Sequence, residues 1–180
     1  MDETPKSEAE GKKAAARERT GIFTSGIVAT KEGRKIALFF TGRQHAGENM
    51  KDVLRQRASE RDAPIQMCDA LQRNLPKEFK VILANCNAHS RRNFVDVVAS
   101  FPEECRYVLE TLAAVYKNDE IAREQQMSPE ARLAFHKAES GPLMKKLEAW
   151  MIDQIASRKV EPNSGLGKAI SYALKHWKKL

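Results

Sequence analysis

Two apolar runs in this chain end on residues able to do chemistry. Pro64-Ile65-Gln66-Met67-Cys68-Asp69 closes on a carboxylate, and Lys80 to Ala84 empties into Asn85-Cys86-Asn87-Ala88-His89-Ser90-Arg91-Arg92. A strand that delivers an Asp to the rim of a sheet offers a hard oxygen ligand to Mg²⁺. That ion takes one or two carboxylates together with substrate phosphate and water. Catalytic groups gather where a rigid element gives way to a loop. Clamping a pair of ions needs at least two acids, and only Asp69 stands at such an address. The same Asp also suits a cap, accepting from the backbone N–H of Leu71 or Gln72 with no metal involved. On the residues alone both readings stay open.

The polar string after Ala84 carries its own candidates. Cys86 and His89 have a C-x-x-H spacing, but zinc needs four ligands in reach. Cys68, Cys105, His45 and His136 lie at no companion spacing. His89 either approaches a phosphate or caps the helix expected there. Arg91 and Arg92 fall in the first turn of that helix, where positive charge opposes the dipole. They face phosphate or are solvated. His45 and Glu48 read as an acid–base pair or, more simply, as a helix start with a dipole-complementing Glu. Lys168, Lys175, Lys178 and Lys179 sit in a segment, 165–180, that has no acid. It is a phosphate-facing surface or an ordinary exposed one.

These residues need elements to hold them. Residues 1–20 carry five acidic and five basic side chains and no large aliphatic or aromatic one beyond Met1, which is the composition of a disordered or loosely helical linker. Order is expected from Gly21. Ile22 to Thr30 and Lys35 to Phe40 are β-branched and aromatic, and Lys31-Glu32-Gly33-Arg34 reads as the turn of a hairpin. A helix from His45 or Ala46 shows Met50, Val53, Leu54 and Arg57 on one face until Pro64 halts it. The Asp69 strand, a short turn over Leu71–Glu78 broken by Pro76, a strand over Val81–Ala84 and a helix bearing Phe94, Val95, Val97 and Val98 follow. Beyond residue 100 no strand pattern appears. Pro102-Glu103-Glu104 and Ser128-Pro129-Glu130 open helices. One stripe joins Val108, Leu109, Leu112, Val115 and Tyr116, and another runs from Leu143 through Trp150 to Ile155. Ser164 caps a last helix through Leu166, Ile170, Leu174 and Trp177.

Bulk composition sets the bounds. At 180 residues, a chain buries roughly 70% of its unfolded surface, enough for a core without disulfides. No run of about 18 apolar residues exists to cross a membrane, and the first residues lack the apolar core of a secretory signal. The expected compartment is the cytoplasm. Three cysteines cannot all pair, so free, reduced thiols are expected. The formal charge of +7 and a pI near 9.4 favour polyanionic partners.

Several strings then agree, in order, with one family. Thr20 to Ile27, Phe40-Thr41-Gly42-Arg43-Gln44-His45-Ala46-Gly47-Glu48-Asn49, Pro64 to Leu71, Asn85 to Arg92, Phe101 to Glu110 and Val160 to Gly167 resemble the central domain of bacterial insertion sequence 66 transposases. The resemblance covers roughly residues 20–180. It implies an α/β fold: a partial ribonuclease-H-like mixed sheet over 21–100, then an all-helical insertion over 101–180. It also implies a DDE-type enzyme in which two Asp and one Glu hold Mg²⁺ for phosphodiester cleavage and strand transfer at insertion-sequence ends. Asp69 matches the second acid. The first should close a strand before the hairpin, where only Asp2-Glu3-Thr4 echoes it, and the Glu should follow a helix like Ser164 to Leu180. The expectation is therefore a transposase fragment with Asp69 as its retained catalytic and metal residue, and His89, Arg91 and Arg92 toward DNA. Its partners would be DNA and further copies or a full-length transposase. The alternative is a non-catalytic DNA-binding, assembly or inhibitor module.

Overall fold

The computed structural model describes residues 20–58 and 60–180. The tract over 1–19 and Asp2 within it lie outside the described residues. Strands β1 (Phe23–Lys31) and β2 (Arg34–Gly42) pair antiparallel from Phe23↔Gly42 to Lys31↔Arg34. Their two-residue turn puts Glu32 at φ 51° and Gly33 at φ 76°. Two positive φ values make the hairpin turn whose twist matches the strands, and glycine supplies one at no steric cost. Helix α1 (Ala46–Arg55) begins where expected, with Glu48 Oε2 accepting from the His45 backbone N–H at 2.7 Å. Glu48 thus closes a capping box. The Phe23 ring lies 4.5 Å from that of His45 and pins the hairpin to the start of α1.

Strands β3 (Ile65–Cys68) and β4 (Ile82–Asn85) pair parallel, Ile65 opposite Ile82 and Cys68 opposite Asn85. Among the described residues the strands form two two-stranded sheets, β1-β2 and β3-β4. The class is mixed α/β. The single mixed sheet over 21–100 that the resemblance implies is not what these four strands make: no ladder joins the hairpin to the parallel pair.

The rest is helical. Helices α2 (Asn87–Val95), α3 (Pro102–Glu124), α4 (Pro129–Phe135), α5 (Gly141–Ala156) and α6 (Gly165–His176) follow. Ser128 Oγ accepts from Ala131 N–H and Ser164 Oγ from Gly167 N–H, so both serines cap as their positions suggest. A π-helical turn over His136–Ser140 joins α4 to α5. The main core lies here: Phe94 of α2 packs with Val108 and Leu112, Leu147 and Met151, and Leu166 and Ile170, all buried. Each such side chain contributes about 1.5–3 kcal/mol by leaving water. Because Phe94 sits in that cluster, the helix directly after β4 is fastened to the helical half, which fixes the β3–β4 rim against α6. Val95, the last residue of α2, and Val98, which lies beyond the helix expected to bear it, remain exposed. No helix among the described residues is long and apolar enough to cross a membrane.

Candidate functional site at the rim of the parallel strands

Asp69 is the first residue after β3, and Asn85 is the last residue of β4. The register that sets Cys68 opposite Asn85 brings both to one rim, and Cys86 N–H donates to the Cys68 carbonyl at 2.8 Å beyond the ladder. A short loop then folds back over the carboxylate. Asp69 Oδ1 accepts from Leu71 N–H at 3.3 Å and from the Asn74 side-chain amide. Gln66 Nε2 donates to the Asn74 carbonyl at 2.7 Å, so β3 itself steadies the residue that grips its terminal Asp. The capping contact to Leu71 is therefore made. Oδ2 stands outside both bonds.

Two cavities meet this rim. One, of about 480 Å³, is bordered by Asp69, Asn85, Leu174, Lys175, His176, Lys178 and Lys179, so the end of α6 and the turn after it face the carboxylate. One acid opposite three lysines makes a net positive groove suited to phosphate. Asn85 is buried, and its Oδ1 has no hydrogen-bond partner, a cost of about 1–3 kcal/mol unless water or a ligand meets it. Tyr172 of α6 has its hydroxyl pKa raised, first by burial and then by Asp69 and Cys86. Burial pushes the Cys68 thiol up as well, with Asp69 and Cys86 adding to it. The second cavity, of about 340 Å³, borders Asp69 on its other side and reaches β1.

The other sequence candidates distribute unevenly. His89 is exposed on α2 and lines the second cavity with Asp69. Arg91 and Arg92 are exposed on α2 and line neither cavity. The lysines of the basic tail do reach the Asp69 groove, except Lys168, which does not line it. Asn74 and Asn85 are the residues that sequence reasoning passed over. Asn85 closes a strand just as Asp69 does, and that shared address was the available signal; nothing local marks Asn74 as a partner of Asp69.

The donor set decides how a metal would fit. Among the described residues no group of three or more His, Cys, Asp and Glu is placed to hold an ion. Asp69 brings one carboxylate, half committed to Leu71 and Asn74, and Asn85 adds a neutral oxygen. These residues do not fit a two-ion clamp, which needs several carboxylates on shared ions. Cys68, Cys86 and Cys105 are free thiols, as expected.

Comparison with known proteins places the chain. An uncharacterized protein of Sinorhizobium fredii, y4jD, is 31% identical over 158 residues, covering 87% of this chain but 27% of that relative. The chain thus spans about a quarter of the length of that relative. No solved structure matches it. The Transposase IS66 family matches across residues 1–180, the whole sequence. A match of that extent, on strings that include the Asp69 rim, means that this chain belongs to the IS66 family of transposases.

Proposed function

We propose that the chain serves DNA transposition by binding DNA along the groove between Asp69 and the end of α6, and that it does not cleave phosphodiesters by itself. One observation carries the reading: Asp69 shares a single groove with Lys175, Lys178 and Lys179. The lysines track phosphates. Arg91 and Arg92 supply flanking phosphate contacts from α2, and His89 supplies one beside Asp69. In this reading residues 21–100 are part of a ribonuclease-H-like catalytic core, residues 101–180 its helical insertion, and residues 1–20 a linker. Mg²⁺, expected for the family, would bind Asp69 only where other polypeptide supplies further carboxylates.

The test is nicking and strand transfer on supercoiled plasmid in Mg²⁺ or Mn²⁺, run beside a gel-shift assay. Salt-sensitive retention of DNA without nicking is expected, with Asp69→Ala still binding. Robust nicking abolished by Asp69→Ala would refute the incompleteness. No retention even at low salt would refute the groove.

The poor fit of the donor set to a two-ion clamp also favours a second reading, a non-catalytic assembly or inhibitor module acting on a full-length transposase. Adding the chain to a reconstituted transposition reaction separates the two. Inhibition that survives removal of the three lysines supports assembly rather than competition for DNA.

A further inference from the structure

Away from the Asp69 rim, the π-helical turn over His136–Ser140 carries a serine and an imidazole against a carboxylate of α3. His136 and Ser140 stand four residues apart, so both side chains lie on one face of the turn. Ser140 Oγ lies 2.9 Å from His136 Nδ1. On the far side of the ring, His136 Nε2 stands 3.4 Å from Asp119 Oδ1. A proton held on Nε2 by that carboxylate leaves Nδ1 as the acceptor for the Ser140 hydroxyl. Nucleophile, base and orienting acid are thus in sequence, the arrangement that activates a serine. Arg132 of α4 also meets Asp119, as does Arg123 of α3 at 3.6 Å, and the two hold the carboxylate in place.

Two further features suit chemistry at Ser140. Gly141 N–H donates to the His136 carbonyl, five residues back, and π turns of this kind recur at functional sites. Asn118 Nδ2 donates to Ser140 Oγ at 3.2 Å. An amide donor so close to the nucleophile can meet the oxygen of a carbonyl under attack. Ser140 is buried, yet together with His136 it borders a cavity of about 340 Å³. Val115, Leu133 and Met144 give that cavity an apolar wall. It has room for on the order of ten waters at roughly 30 Å³ each, the size of an ester with a short alkyl chain.

We propose that Ser140, with His136 as its base and Asp119 as the positioning residue, accepts the acyl group of small apolar esters. Ser140 Oγ adds to the ester carbonyl carbon as its proton passes to His136 Nδ1. The bond to the leaving alkoxide then breaks, and Nδ1 returns the proton to that oxygen. Water, its proton taken in turn by Nδ1, releases the acyl group as a carboxylic acid and restores the serine. No metal, oxidant or reductant enters the balance. The inference rests on the turn and α3 alone and is independent of the DNA-binding reading.

A purely structural tie between α3 and the turn would make the same contacts without reacting, so the test reads covalent chemistry. The 180-residue chain is incubated with a small alkyl fluorophosphonate, and the adduct is mapped by tandem mass spectrometry. One adduct per chain, on Ser140, is expected, as is a burst of up to one equivalent of nitrophenolate from p-nitrophenyl butyrate. Labelling should vanish in Ser140→Ala, fall by about a hundredfold or more in His136→Gln, and stay unchanged in Ser157→Ala. Asp119→Asn should slow it at least about tenfold by favouring the wrong tautomer, and Asp119→Glu should restore it. Thermal melts confirm that each variant is folded; where one is not, the adduct on the parent chain decides alone. The proposal is overturned if the parent chain gains no adduct at Ser140. Parental labelling rates in folded His136→Gln or folded Asp119→Asn overturn it as well.

Discussion

Replacing Gly47 by alanine is a direct probe of how the Asp69 loop is held. Gly47 is buried in α1, and a Cβ built there would stand 2.4 Å from the Leu75 carbonyl oxygen and 2.8 Å from that of Arg73. Ordinary contact begins at 3.4 Å, so backbone must retreat by about 1 Å, and backbone yields less readily than a side chain. Such overpacking costs about 1–3 kcal/mol, offset by the roughly 1 kcal/mol that alanine gains over glycine in a helix interior. The net is a loss of about 0–2 kcal/mol, or a fall in Tm of up to about 8 °C for a domain of this size. Gly141→Ala is the matched control. Its Cβ would meet only the His136 carbonyl, at 3.7 Å, so the substitution creates no such clash. The displaced turn also carries Asn74, which holds Asp69. Thermal unfolding followed by circular dichroism reads all of this. A Gly47→Ala chain that melts above the parent would refute the close approach of α1 to residues 73–75.

Other outcomes follow from the same geometry. Phe94→Ala should cost about 3–5 kcal/mol in urea unfolding, because Phe94 is buried among α3, α5 and α6, whereas Val95→Ala on the exposed side should stay within about 0.5 kcal/mol. Asp69→Asn removes one of the charges that hold the Cys68 thiol above its ordinary pKa, so alkylation of Cys68 by iodoacetamide should quicken; an unchanged rate would separate the two groups. His176 has its pKa lowered from 6.5 by burial first and then by Lys175 and Lys179. The folded chain keeps it neutral where the unfolded chain takes a proton, so its contribution is present above 6.5 and lost as pH falls through the lower folded value. Urea midpoints should therefore decline on acidification through that window, and His176→Gln should flatten the decline.

Local signals made much of the fold legible. The hairpin, the stripes of α3, α5 and α6 and the serine caps at Ser128 and Ser164 each arise from residues within one or two turns of each other. Periodicity and capping chemistry report on such neighbours. Glu32 at positive φ is less legible than Gly33, since only glycine advertises that backbone. The π-helical turn over 136–140 has no local signature. What escaped entirely is non-local. No pattern within β1 or β3 says that residues of both line one cavity, because that depends on α1 and on the parallel register of β3 with β4. Asp69 was visible as a strand-ending acid. Its partners were less so: Asn74 reaches it through a loop, and the lysines at and just after the end of α6 through a core shared with α2, α3 and α5.

The salt dependence of DNA binding tests the basic groove beside Asp69 most directly. Each neutralised phosphate contributes about −0.9 to the slope of log affinity against log salt on duplex DNA. Converting Lys175, Lys178 and Lys179 to alanine together should make the slope shallower by about 2.7 while Asp69→Ala leaves it unchanged. A slope that stays the same after loss of the three lysines would contradict the groove as the DNA-binding surface.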